Sequence, residues 1–195
     1  MESNFTNATN IPTTPTGVAI DITGQYLFVA GHEYFSVFDI SSPTSPSFSN
    51  KITTSPGSVQ DFSRIVLTSD GDYAYVTKYQ NNSVIIVDVS DPTCVSQAGT
   101  LTDSTYLYGV REIQVVDDAL LYGFNFSGDT FYLSVWDIST DPTDPTRRDS
   151  FDLSNLSWSP SGRIGGFVID DYDTAYVGRY YTTTSKGFAS IDLTP

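Results

Sequence analysis

Short runs of alternating apolar and polar residues cover almost the whole chain, and Gly, Pro, Asp or Ser breaks each run within a few positions. Period-two alternation bounded by turn residues predicts β-strands. No stretch keeps apolar residues at spacings of three and four, so no helix is expected. The clearest unit spans Ile65–Thr100. It reads as a strand, the turn Ser69-Asp70-Gly71-Asp72, the strand Tyr73–Thr77, a loop, the strand Ser83–Asp88, the stop Ser90-Asp91-Pro92 and a last polar strand. Second strands alternate, as at Tyr26/Phe28 and Tyr73/Tyr75. Third strands such as Val84-Ile85-Ile86-Val87 are apolar on both faces, which places them between two layers. Fourth strands are polar, as an outer edge should be.

The unit recurs. The Asp that closes its third strand returns as Asp39, Asp88, Asp137 and Asp192, at intervals of 49, 49 and 55 residues. Counting from Asp192 to Pro195 and on from Met1 to Asp39 gives 42. Such a wrap-around fits a ring, and the matching phases of the two ends argue against a random cut. The units occupy about 16–54, 62–102, 109–154 and 162–195. The last has three strands, and the segment Asn4–Ile11 matches the missing fourth: Phe5-Thr-Asn echoes Phe48-Ser-Asn. Four strands repeating every ~40–50 residues predict a β-propeller. The expected fold is all-β, a single domain over 1–195, with four blades and the N-terminal strand completing the last. The alternative is half of an eight-bladed propeller dimer; a β-sandwich would leave the wrap-around unexplained.

Tyr75-Val76-Thr77 followed by Asn82-Ser83-Val84-Ile85-Ile86-Val87-Asp88-Val89-Ser90-Asp91-Pro92 resembles the LVIVD and YVTN families of β-propeller repeats. Weaker echoes lie at Phe35–Pro43, Leu133–Pro142 and Phe188–Pro195. The resemblance implies a propeller of the kind common in bacterial and archaeal surface and secreted proteins. It implies no catalytic set, because the motif residues are structural. Such propellers more often have six to eight blades.

Composition narrows the setting. The 195 residues include 13 Tyr and 12 Phe, and the formal net charge is -14 with 9 basic residues. Nucleic acid and anionic membranes are poor partners for so acidic a surface. Acidity favours solubility or cation-rich surroundings. The single cysteine, Cys94, excludes an internal disulfide and reads as a bystander. No apolar run reaches the ~18 residues of a membrane span, and the opening Met1-Glu2-Ser3-Asn4 is not a signal peptide. Five Asn-X-Ser/Thr sequons, at Asn4, Asn7, Asn81, Asn125 and Asn155, are candidate glycosylation sites on an extracellular surface.

Candidate binding residues gather at predicted blade ends. Arg64, Arg111 and Arg163 open the innermost strand in three units, where a propeller converges on its channel rim. Guanidinium groups there suit a carboxylate or sulfate, unless each pairs with an acid such as Asp61, Glu112 or Asp170. Loops after the second strands carry His32-Glu33-Tyr34, Tyr79 and Tyr180-Tyr181, which suit carbohydrate or protein contacts. The recurring Asp residues are expected to cap turn amides rather than bind metal. Asp70/Asp72 and Asp170/Asp171/Asp173 lack EF-hand spacing, so Ca²⁺ is the one cofactor with any footing and none is expected. His32 is the only histidine, and no catalytic or nucleotide-binding motif is present.

The expected function is therefore a non-enzymatic extracellular propeller, a structural or adhesive subunit of a surface assembly or filament. Its partners would be other copies or other surface proteins. The alternative is a glycan- or anion-binding propeller, hydrolytic or not, with Arg64, Arg111, Arg163, Tyr79, Tyr180 and Tyr181 at the channel mouth.

Overall fold

The computed structural model folds the chain into four antiparallel sheets, each an up-and-down meander. It describes residues 5–7, 9–31, 34–53, 62–78, 81–110, 112–127, 130–153, 163–170, 173–180 and 187–194. The first sheet holds β1 (Pro15–Ile20), β2 (Tyr26–Gly31), β3 (Tyr34–Asp39) and β4 (Ser47–Thr53). The second holds β5 (Phe62–Leu67), β6 (Tyr73–Lys78), β7 (Ser83–Asp88) and β8 (Ser96–Thr102). In the third are β9 (Glu112–Val116), β10 (Leu120–Ser127), β11 (Thr130–Asp137) and β12 (Thr146–Asp152). The fourth has three strands, β13 (Arg163–Ile169), β14 (Thr174–Tyr180) and β15 (Gly187–Asp192).

One small set of local bonds shapes every sheet. The Asp ending each third strand folds its carboxylate onto the next turn. Asp39 Oδ1 accepts from Ser41 N at 2.8 Å, Asp88 from Ser90 N at 3.1 Å, Asp137 from Ser139 N at 2.9 Å and Asp192 from Thr194 N at 2.9 Å. The side chain thereby takes a turn amide that would otherwise lack a partner. The residue after that Asp then bonds back to the entrance of the second strand. Ile40 N donates to Gln25 O, Val89 N to Asp72 O, Ile138 N to Ala119 O and Leu193 N to Asp173 O. The turns before the second strands need left-handed backbone. Gly24 and Gly71 supply it at φ of 72° and 80°, while Asp117, Asp118 and Asp173 adopt it in the later sheets. A register shift recurs just before the closing Asp, at Val37/Phe38, Ile86/Val87 and Val135/Trp136, and bends each outer strand the same way.

The sheets stack face to face, and the core lies between them. Phe28, Phe35 and Val37 of sheet one pack with Ile65, Ala74, Val76, Ile85 and Val87 of sheet two. Tyr75, Val84 and Ile86 on the other face of sheet two pack with Ile113, Leu121 and Trp136. Tyr122, Phe124, Leu133 and Val135 then meet Ala175, Val177 and Leu193 of sheet four. Each fully buried side chain of this size contributes about 1.5–3 kcal/mol. This is why β7 is apolar on both faces and β11 carries apolar residues on both: each touches two neighbouring sheets. The inner strands lie in series, β1 beside β5, β5 beside β9 and β9 beside β13.

Two expectations about closure change. The segment Asn4–Ile11 was expected to complete the last sheet. Its described residues lie instead against sheet one. The Phe5 ring meets Phe38 edge-on at 5.6 Å between centroids. Asn10 O accepts from Ser36 Oγ at 2.7 Å, and Thr9 O accepts from Lys51 Nζ at 3.1 Å. Phe38 belongs to the face of sheet one that no other sheet covers, so the nearby segment finds its apolar contact there. Among the described residues, moreover, no packing comparable to the three internal junctions joins β13 to β1. Among the described residues the four sheets form a series with two outward-facing ends.

Candidate functional site

The register of the sheets makes positions in different sheets equivalent, and that exposes an anomaly at both ends. Val18 pairs with Val29, Ile65 with Val76 and Ile113 with Gly123, each at the same step of the first two strands. Ile65 and Ile113 are 5% and 3% exposed, but Val18 is 65% exposed. Ile20 extends the same exposed row, and Ile22, exposed as well, lies over Gly71 of sheet two. At the other end, Phe188 of β15 stands where Val84 stands in β7, since it pairs with Gly178 as Val84 pairs with Thr77. Val84 is fully buried and Phe188 is 78% exposed. Tyr176 takes the position of the buried Tyr75 yet is partly exposed, with Val168 open beside it. Contiguous apolar surface of this kind marks an interaction face. The sequence reading missed these six residues. The signal was present as apolar residues on both sides of β1 and β14, but only the order of the sheets shows which sides are uncovered.

At the inner rim, Arg64 on β5 and Glu112 on β9 form an ion pair across two sheets, Nε to Oε2 at 3.5 Å. Glu112 is half-buried, and burial pushes its carboxyl above the usual range despite the opposing pull of Arg64. Arg64 is thus engaged by a local acid rather than held free for an anion. Arg163 and Tyr180 pair as backbone neighbours at one end of sheet four. Arg111, Tyr79 and Tyr181 lie outside the described residues, as do His32, Glu33, Asp61 and Asp171.

The sequons divide. Asn81 is exposed in the turn between β6 and β7. Asn7 is half-buried, and its Oδ1 accepts from Asn10 N at 3.1 Å. Asn125 is buried, with its Nδ2 donating to Thr105 O at 2.8 Å, so the folded chain does not present this amide for glycosylation. The candidate at Asn125 is corrected on that ground: the strand pleat turns it inward. Asn4 and Asn155 lie outside the described residues. Asp70 is occupied by Thr68 Oγ1 at 2.6 Å and Asp72 N at 3.0 Å. Cys94 is exposed. Among the described residues, no three His, Cys, Asp or Glu side chains gather as a metal site.

Residues 17–54 and 65–103, which hold most of the first two sheets, match the LVIVD repeat, a β-propeller-type repeat family. No curated protein matches the sequence. Solved structures are similar in fold. A protein from Lactobacillus plantarum aligns over 91% of this chain and 56% of its own, at 16% identity and a TM-score of 0.71. The periplasmic gluconolactonase of Pseudomonas aeruginosa aligns over 92% and 54%, at 14% identity and a TM-score of 0.64. The β-propeller domain of Cps50 (Swd1) from Myceliophteria thermophila aligns over 84% and 49%, at 10% identity and a TM-score of 0.61. The chain therefore spans about half the length of these structures. Identity this low carries the fold alone. One expectation is overturned here: the chain was read as not being an enzyme, yet its fold is shared with a gluconolactonase, so a propeller without a familiar motif does not exclude catalysis.

Proposed function

We propose that this chain is a structural or adhesive subunit of an extracellular surface assembly, acting by protein–protein association across its end blades. The observation that carries the reading is Phe188, 78% exposed at a position buried in an inner blade. An apolar face built to the pattern of an inter-blade junction is best satisfied by another protein surface. The net charge of -14 and the exposed sequon at Asn81 agree with an outer-surface setting. In this reading the propeller is an arc whose ring is completed by a partner rather than by its own N-terminal strand. Sedimentation velocity over a range of concentrations tests it. The expected result is reversible association that Phe188→Asp weakens. A single 21.3 kDa species at every concentration, with and without other surface proteins of the source cell, overturns it.

A second reading is favoured by Glu112 and by the fold shared with a gluconolactonase. A half-buried rim carboxyl with a raised pKa, held in place by Arg64, suits a general acid for hydrolysis of a bound glycan or sugar lactone. Turnover of sugar lactones lost in Glu112→Gln would support it. No turnover and no binding of sulfated or acidic glycans would dismiss it.

A further inference from the structure

Resting on association through the end blades, we propose that the partner is a second copy of this chain, joined head to tail so that eight blades close one ring. The fourth blade of each copy packs on the open face of the first blade of the other. The N-terminal connector of that other copy then enters beside the free edge of β15.

Two observations meet in this arrangement. First, the two open faces are opposite halves of one junction. Tyr75 and Val84 point from blade two toward blade three, and Tyr176 and Phe188 repeat them in blade four. Ile65 points from blade two back toward blade one, and Val18 repeats it in blade one. The chain already makes this contact three times, and a fourth and fifth would cover both ends. Because the halves differ, the join is heterologous, and a heterologous join closes only if the rotation completes a circle.

Second, the N-terminal segment sits where the connector that follows a preceding blade's outer strand belongs. Pro12 abuts Gly31, whose added Cβ would lie 2.5 Å from the Pro12 side chain. The residue in the same register of blade three, Asn125, holds Thr105, which follows β8 of the blade before it. Asn7 and Ile11 therefore match Asp103 and Leu107 of the connector after β8: Ile11 N donates to Asn7 O as Leu107 N donates to Asp103 O, and Asn7 Oδ1 accepts from Asn10 N as Asp103 Oδ1 accepts from Tyr106 N. Among the described residues β15 pairs with β14 alone, so its outer edge is open to the chain that such a connector follows.

The test is light scattering with size exclusion, and negative-stain electron microscopy, on the 195-residue chain. A mass twice 21.3 kDa and ring-shaped particles are expected. Val18→Asp alone and Phe188→Asp alone should each weaken association by about tenfold or more, because every junction holds one altered face. Mixing the two variants should restore a dimer through one intact junction. Both positions are on the surface of the single chain, and a folded β spectrum checks each variant. Tyr176→Glu replaces Phe188→Asp if that one misfolds. Deleting residues 1–11 should also weaken the dimer. Filaments, or a dimer that mixing fails to restore, would overturn the ring while leaving end-blade association standing. A monomer unaffected by either substitution would overturn both.

Discussion

The hydroxyl of Tyr75, buried in blade two, donates a hydrogen bond to the carbonyl oxygen of Pro142 in blade three at 2.8 Å. It ties the core of one blade to the turn between the third and fourth strands of the next. Burial pushes the phenol well above its usual range, so it stays a donor through the alkaline region. Tyr75→Phe should keep the packing and lose the bond, leaving the Pro142 carbonyl without this donor. The expected cost is about 1–3 kcal/mol. Urea unfolding monitored by tyrosine and tryptophan fluorescence measures it, and an unchanged midpoint would deny the tie its role.

Gly99 lies against the same turn of blade three. A Cβ added there would stand 2.2 Å from Thr143 O, a backbone atom that cannot swing aside. Gly99→Ala should push blades two and three apart at their outer strands and cost roughly 1–3 kcal/mol. Gly24→Ala places its Cβ in open space, so its cost comes from the left-handed φ of 72° alone and should be smaller, about 1 kcal/mol. Thermal melts of the two variants side by side give the ordering.

Arg64 and Glu112 should respond unequally to removal. Burial already disfavours the ionised Glu112, so Glu112→Gln is expected to leave stability at neutral pH unchanged or slightly raised. Arg64→Ala leaves a half-buried carboxylate without its cation and should cost up to about 1 kcal/mol, less in high salt. Melts at low and high ionic strength separate the two. A larger loss in Glu112→Gln than in Arg64→Ala would refute the assignment.

Acid should loosen the turns. Asp39 is held below its ordinary 3.8 by the Ser41 hydroxyl and amide, Asp137 by those of Ser139 and Asp192 by those of Thr194. A carboxylate whose folded pKa is depressed stabilises the fold fully above its unfolded value. That contribution is lost as pH falls from the unfolded value through the folded one. Stability should therefore hold down to about pH 5 and decline below 3.8. Replacing the aspartates by Asn should flatten the decline. Melting temperatures followed from pH 7 to pH 2 give the profile, and an acid limb as steep in the Asn variants would refute the turn carboxylates as its source.

The alternation of apolar and polar residues determined the strands, because a residue's face along a strand depends only on its position in the sequence. All four meanders and the four capping Asp residues followed from it. The double-sided apolar run of β7 also showed that this strand lies between layers. What the sequence left open was the relation between distant parts. Phe5–Ile11 resembles an outer strand in sequence, yet whether it pairs with β15 or rests on Phe38 is a matter of where sheet four ends relative to sheet one. Asn125 reads as a surface sequon and is turned inward by the pleat of β10. Phe188 and Val18 look like core residues, and they are exposed because burial belongs to a neighbouring sheet, which the strand pattern does not name. Local hydrogen bonds and side-chain periodicity are encoded within a few residues. The partner of each sheet is chosen by shape and order over the whole chain, and only the tertiary structure decided it.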